Sequence, residues 1–250
     1  STESLGGDAL RRLDPAWGPR VRGAIIHADG MTVDPAALCD ALRTRIRSLG
    51  GTIRNRCAVD AVRECDGGWE AIQAGQRVGT GEKLIVAAGV WSSPLARMMG
   101  VRIAMQPAKG YHRMLKLPGG PTPTIAAVLR EPKVGITPMG GLLRVAGTLE
   151  LSGFNHRLNR TRLDQLMAGG RAFLPQLGQG RVMDEWCGLR PCTASGLPVI
   201  GRGHHNAWVA AGHGMMGVTL APGTAALLVA DILGDPIPDW AFAFSPSYSR

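Results

Sequence analysis

Between residues 207 and 234 the sequence reads as one folding unit. The apolar run Ala207-Trp208-Val209-Ala210-Ala211 has the texture of a strand, and Gly212-His213-Gly214-Met215-Met216-Gly217 follows it at once. An apolar stretch of helical length then runs from about Val218 to Leu233 and stops at Gly234. A strand that turns through glycines directly into a helix gathers backbone N–H groups and the positive end of the helix dipole at one point. The G-x-G-x-x-G spacing therefore suggests the close approach of a flat or anionic group, such as a nucleotide pyrophosphate. A tight strand-to-helix turn that only packs on its neighbours would use the same spacing. A complete dinucleotide unit also needs a second parallel strand with an acidic residue ~20 residues on, whereas Gly234 is followed by Asp235-Pro236-Ile237-Pro238.

A second helix is marked at both ends. Asp34 precedes Pro35, apolar residues recur at Leu38, Leu42, Ile46 and Leu49, and Gly50-Gly51 closes the segment. Asp supplies the cap, Pro the first helical position and Gly the stop. Thr52 to Asn55 and Ala58 to Val62 alternate as strands, and Asp66-Gly67-Gly68 turns a hairpin into Trp69-Glu70-Ala71-Ile72. Leu84 to Ala88 is a continuous apolar run before Gly89, the pattern of a strand buried on both faces, and Trp91 to Met99 has helical character. From Val101 to about Trp186 the texture changes to short segments separated by Pro and Gly. Tyr111 to Leu117, Thr124 to Arg130, Val134 to Thr137 and Leu142 to Leu149 suit an antiparallel sheet, and Thr161 to Leu174 a covering helix. Leu5 to Leu13 also reads as helical.

Charge and cysteine usage exclude several classes. The chain of 250 residues carries 28 Lys+Arg against 19 Asp+Glu, a formal charge of +9, yet the basic residues are scattered and aromatics make up 5%. No nucleic-acid signature is present, so the charge reads as a solvated basic surface, with an acidic partner or an anionic membrane face as alternatives. With 45% hydrophobic residues the composition suits a packed protein rather than a disordered one. Val218 to Ala230 is interrupted by Pro222 and Gly223 and is too short for a transmembrane segment. The five cysteines form no C-x-x-C pair, which indicates neither a disulfide framework nor a metal site and favours a reducing compartment. A cytoplasmic location follows, with peripheral attachment to the inner membrane as an alternative.

The window Trp186-Cys187-Gly188-Leu189-Arg190-Pro191-Cys192 places an arginine in an apolar stretch. Such a guanidinium suits a bidentate contact to a carboxylate or phosphate, and a structural ion pair would place it equally well. Gly188-Leu189-Arg190-Pro191, Ser195-Gly196-Leu197-Pro198-Val199-Ile200-Gly201 and Ala211-Gly212-His213-Gly214 leading to Leu220-Ala221-Pro222-Gly223-Thr224 together resemble the C-terminal part of the D-amino-acid oxidase superfamily. This is the flavoprotein group of glycine oxidase, sarcosine oxidase and the bacterial D-amino-acid dehydrogenases. Asp29-Gly30 with Val33-Asp34-Pro35, Val86-Ala87-Ala88-Gly89-Val90-Trp91-Ser92, Lys109-Gly110-Tyr111 and Phe244-Ser245-Pro246 match further landmarks in the family's order.

The resemblance implies an α/β (α+β) chain. An incomplete Rossmann-like FAD-binding domain, residues 31–100 and 186–240, would be interleaved with a mostly antiparallel substrate-binding sheet domain, residues 1–30 and 101–185. It implies non-covalent FAD, because neither Cys187 nor Cys192 falls where the sarcosine oxidases tether flavin. Arg190 matches the arginine that grips the substrate carboxylate, with Tyr111 and His213 as further catalytic candidates. Cofactor contacts are implied for Val59, Ala88, Gly89, Trp91, Gly188, Gly212, His213, Gly214, Met215, Met216, Gly217 and Val218. Met215 and Met216 stand where glycine-oxidase-like members carry a polar or basic residue, which suggests an apolar substrate side chain or simply a dye-linked dehydrogenase pocket. The implied reaction is oxidation of the CH–NH bond of a small amino acid, with oxygen or a quinone or cytochrome as electron acceptor.

The family's opening strand, G-x-G-x-x-G turn and helix have no counterpart in these residues. Two expectations follow: a truncated or processed chain, or a partner polypeptide that supplies the phosphate-binding unit. The alternative to an enzyme is a non-catalytic subunit of a heteromeric flavoprotein that cannot hold FAD alone.

Overall fold

The computed structural model describes residues 1–247. In chain order the elements are β1 (Thr2–Gly6), α1 (Gly7–Leu13), β2 (Gly23–His27), α2 (Pro35–Ser48), β3 (Ala61–Cys65), β4 (Gly68–Gln73), β5 (Gln76–Gly81), β6 (Leu84–Val86), α3 (Ser92–Met98), β7 (Met105–Lys116), β8 (Ala127–Leu129), β9 (Val134–Met139), β10 (Leu142–Glu150), α4 (Arg160–Arg171), β11 (Arg181–Thr193), β12 (Val199–His204), β13 (Ala207–Ala211) and α5 (Gly217–Leu233). The result is a mixed α/β chain with several antiparallel sheets. It divides into two compact units: Ser1–Ala41, Lys109–Glu150 and Asn155–Gly188 form one, and Leu42–Ala108, Leu151–Phe154 and the chain from Leu189 onward form the other.

The first unit is organised by a five-stranded sheet in the order β11-β7-β10-β9-β8. Its register places Leu115 opposite Leu143 and Val145 opposite Ile136, so that alternate side chains of three strands meet on one face. Those residues form a single core with Leu166 and Met167 of α4 and with Trp17. The Asn159 side chain caps α4 by accepting the Arg162 N–H. A buried carboxylate, Asp14, accepts the Thr124 N–H at 2.9 Å and pins the N-terminal segment to the loop before β8.

The second unit holds a three-stranded sheet, β12-β13-β6, and a β3-β4-β5 meander. β13 runs parallel to β6, with Val209 beside Val86, and antiparallel to β12. One face packs Val86, Val199 and Val209 against Leu95 and Ala96 of α3. On the other, Ile200 and Trp208 meet Leu228 of α5.

Several expectations hold closely. Asp34 Oδ1 accepts the Ala36 and Ala37 N–H groups at 2.9 and 3.2 Å, the cap that its position before Pro35 implied. The hairpin pairs Cys65 with Gly68. Gly234 ends α5 in the left-handed region at φ 80°.

Others are corrected. Leu5 belongs to a strand, since Thr2–Gly6 pairs with Gly23–His27, and only Gly7–Leu13 is helical. Thr52 to Asp60 is irregular and the strand begins at Ala61; Arg56, between the two expected strands, takes a positive φ of 56°. Thr124 to Arg130 yields only Ala127–Leu129 as strand, and Phe173 lies beyond the end of α4. β6 stops at Val86 and is not buried on both faces. It is the outer strand of its sheet, α5 lies over β12 and β13, and Ile85 is left 47% exposed. The apolar stripe of α2 is likewise uncovered: no residue of the helix is buried, and Leu42, Ile46 and Leu49 are 53%, 44% and 68% exposed.

Candidate active site

Two turns leave the same end of the parallel pair β6 and β13. In an open α/β sheet the carboxyl ends of parallel strands are where ligands bind, because the turns there present backbone donors. After β6 the chain passes Ala88 into a 3-10 turn at Gly89–Trp91. No atom lies within 4 Å of where a side chain at Gly89 would begin, so this backbone borders open space. Val59 and Ala88 pack on the core beneath. Trp91 is exposed and its ring centroid lies 6.4 Å from that of Phe154.

After β13 comes the glycine turn. Gly212 has φ +82°, and a Cβ there would sit 2.4 Å from Thr193 Cγ2. Both the left-handed backbone and the close approach of β11 require glycine. Gly212→Ala is expected to lower stability by about 2–3 kcal/mol in urea unfolding. Gly75→Ala, at φ +79° with no atom within 4 Å, should cost only about 1 kcal/mol.

The next residues fasten this turn to the end of β11. The Gly214 N–H donates to Pro191 O at 2.9 Å, and Cys192 and His213 form an antiparallel bridge. Arg190, half-buried on β11, precedes that attachment by one residue. His213 Nε2 shares a 2.9 Å hydrogen bond with Thr224 Oγ1 of α5, and burial lowers its pKa, which favours the neutral imidazole. No side chain caps α5, so its first N–H groups and positive end face the turn. Met215 and Met216 are 72% and 51% exposed, and Val218 is exposed beside them. An open glycine backbone after β6, an uncapped helix after β13 and exposed apolar side chains suit a flat, partly anionic group. A flavin fits that description.

Tyr111 and Gly188 lie in the other unit. Tyr111 is 2% exposed, packed with Leu163 and Cys187, and its hydroxyl donates to Glu150 Oε2 at 2.8 Å. A phenol enclosed between sheet and helix with its hydroxyl committed to Glu150 has the surroundings of a packing residue. Beside it is an ammonium that sequence reasoning missed. Lys109 Nζ donates to Arg157 O at 3.0 Å and Asn155 Oδ1 at 3.2 Å, and lies 3.5 Å from Glu150 Oε1. Burial pushes the Lys109 pKa down, but hydrogen bonding with Tyr111 and the Glu150 charge outweigh it and the net shift is upward. Gly188 lies beneath the Trp186 indole, where a Cβ would fall 1.9 Å from a ring carbon.

Comparison with known proteins gives the chain a family. The family described as DAO, FAD dependent oxidoreductase, matches residues 1–231. A D-amino acid dehydrogenase of Dechloromonas aromatica is 39% identical over 166 residues, which is 65% of this chain and 40% of that protein. A glycine oxidase of Bacillus licheniformis is 29% identical over 248 residues, 98% of this chain and 66% of that protein. The chain thus spans from 40% to 66% of the length of these two relatives. Among solved structures, glycine oxidase from Geobacillus kaustophilus superposes with a TM-score of 0.90 at 23% identity, covering 98% of this chain and 66% of that one. Iminodiacetate oxidase from Chelativorans sp. BNC1 gives 0.84 at 28% identity, with 98% and 67% covered. The strand-end turns, the Arg190 segment and a match across residues 1–231 lead to one conclusion: the chain belongs to the DAO family of FAD-dependent oxidoreductases.

Proposed function

We propose that this chain forms the substrate-gripping and flavin-facing part of an enzyme that oxidises the CH–NH bond of a small amino acid. The observation that carries the reading is the fastening of the Arg190 segment to the glycine turn through Gly214 and Pro191. A guanidinium held one residue from that bond offers a planar fork to a carboxylate, which fixes the position of the adjacent α-carbon. When bound, FAD accepts the hydride that leaves the α-carbon. The free N–H groups at the start of α5 stabilise negative charge developing beside the turn. Neutral His213, held by Thr224, adds a hydrogen-bonding ring without a competing charge. An amine that enters unprotonated needs no side-chain base: loss of the hydride leaves a cationic iminium with no proton removed from nitrogen, and water converts that iminium to a keto acid and ammonium, or to a keto acid and the protonated amine where the substrate is a secondary amine.

The names of the relatives, glycine oxidase, D-amino acid dehydrogenase and iminodiacetate oxidase, support glycine, a D-amino acid or a secondary amine as substrate. The exposed Met215 and Met216 favour an apolar side chain. Of the residues implied by resemblance, Val59, Ala88, Gly89, Trp91 and the turn from Gly212 to Val218 are assigned to FAD, and Arg190 to substrate. Gly188 serves the packing of Trp186.

A second reading is favoured by the uncovered α2 stripe and by Ile85 on the outer strand β6. In it, FAD is retained only when a further polypeptide segment covers these surfaces and supplies the phosphate-binding turn. The visible absorption spectrum tests both. The purified chain is mixed with excess FAD, passed through gel filtration, and then given a D- or L-amino acid without oxygen. A retained flavin spectrum that bleaches supports the oxidoreductase reading, and readmitting oxygen or adding a quinone identifies the acceptor. A colourless protein supports the second reading.

A further inference from the structure

One face of the five-stranded sheet carries the core and α4. The opposite face carries His112 and Met114 of β7, Arg144 of β10, and Asp184 and Trp186 of β11. The register sets Arg144 opposite Met114 and His112 opposite Ala146, so these side chains share that face. It is open: Asp184 and Trp186 are exposed there, as is Val128 of β8. The His112 ring stacks on the Trp186 indole with centroids 5.2 Å apart and an interplanar angle of 24°.

Within this cluster two shielded nitrogens, Arg144 Nε and His112 Nδ1, meet no hydrogen-bond partner among the described residues. Arg144 is half-buried, its Nε is shielded from solvent, and no acceptor among the described residues meets that Nε. His112 Nδ1 is shielded and unbonded in the same way. An acidic group, Asp184, lies 3.7 Å from His112 Nε2 and is 64% exposed. A half-buried guanidinium without a counter-charge pays desolvation that an ordinary surface arginine avoids. The electrostatics agree with the geometry: burial lowers the His112 pKa, the Arg144 charge lowers it further, and Asp184 opposes both weakly.

We propose that Arg144, with His112 and Trp186, forms a carboxylate-binding site on this face, which takes the carboxylate of a small organic acid. The guanidinium supplies the charge and the fork, His112 a second polar contact, and the indole an apolar wall. The choice of a carboxylate rests on the amino-acid reading above, while the site itself stands on this one sheet.

The probe is glutarate, which has two carboxylates and no amine to oxidise, so its binding is measured independently of turnover. The imidazole NMR signal of His112, identified by its loss in His112→Gln, is titrated with pH in the presence and absence of glutarate at constant ionic strength. A carboxylate on Arg144 should raise the His112 midpoint by about one pH unit. Arg144→Met should raise the midpoint in the free protein, because a like charge is gone, and weaken glutarate at least about tenfold. Arg144→Lys, which keeps the charge, guards against a folding defect and should bind glutarate with intermediate strength. An unmoved midpoint, an equal response in Arg144→Met, or an equal response to inorganic phosphate overturns the proposal. Glutarate binding with no amino acid oxidised would overturn the reaction alone, and oxidation without glutarate binding would overturn this site alone.

Discussion

Arg190→Met is expected to lower kcat/KM for the amino-acid substrate by roughly 30-fold to 5,000-fold, the ~2–5 kcal/mol that truncating a buried charge pair costs. The loss falls first on KM, since the carboxylate is gripped before and during reaction alike. Arg190→Lys keeps the charge but loses the planar fork, so its KM should rise about tenfold with kcat largely kept. Steady-state kinetics of the flavin-loaded protein measure both. An amine lacking the carboxylate gives the decisive comparison: it should react slowly with the unaltered protein and no more slowly with either variant. An unchanged KM for the amino acid removes Arg190 from the substrate site.

Lys109→Met is expected to cost about 3–5 kcal/mol of stability, the penalty for removing one partner of a buried pair. The ammonium side chain is 2% exposed, and its loss strips acceptors at Asn155 and the Arg157 carbonyl as well as Glu150. Urea unfolding at neutral pH measures it. The pH dependence has a definite sign. The folded-state pKa of Lys109 is raised, so its stabilising contribution is fully present below the unfolded value near 10.4 and is lost as pH rises through the folded one. Tyr111, whose pKa is raised by burial, acts in the same direction, because the folded state holds its proton longer than the unfolded chain. The unaltered protein should therefore lose stability above about pH 10. Lys109→Met should show a shallower fall, with the Tyr111 part remaining.

Local signals were legible in the sequence and long-range pairings were not. Asp34 with Pro35, the Asp66-Gly67 hairpin, the strand Ala207–Ala211 and the Gly234 stop are each specified within a few residues, and the structure carries them out. β1 was missed because its strand character comes from pairing with β2, and residues Thr2–Gly6 carry no strong pattern of their own. Arg56 at positive φ gives no sign in its residue type. In the site, the spacing of Gly212, Gly214 and Gly217 and the apolar setting of Arg190 were visible separately. The hydrogen bond that joins the two segments, from Gly214 to Pro191, depends on β11 passing beside the end of β13. Lys109 with Glu150, and His112 with Arg144, are brought together by the pairing of β7 with β10, strands separated in sequence by β8 and β9, which no local period records.

Helix α2 shows what it means for an element to be written entirely in its own residues. Its cap and stop are complete, yet its stripe meets no buried partner. Fourteen residues is near the length at which a helix in water is only marginally favoured. Its opening is thus governed by a local helix–coil balance, separate from the cooperative unfolding of the β13 core. Whatever covers Leu42, Ile46 and Leu49 would draw its binding free energy partly from ordering this segment, so that docking and folding of α2 become one linked event.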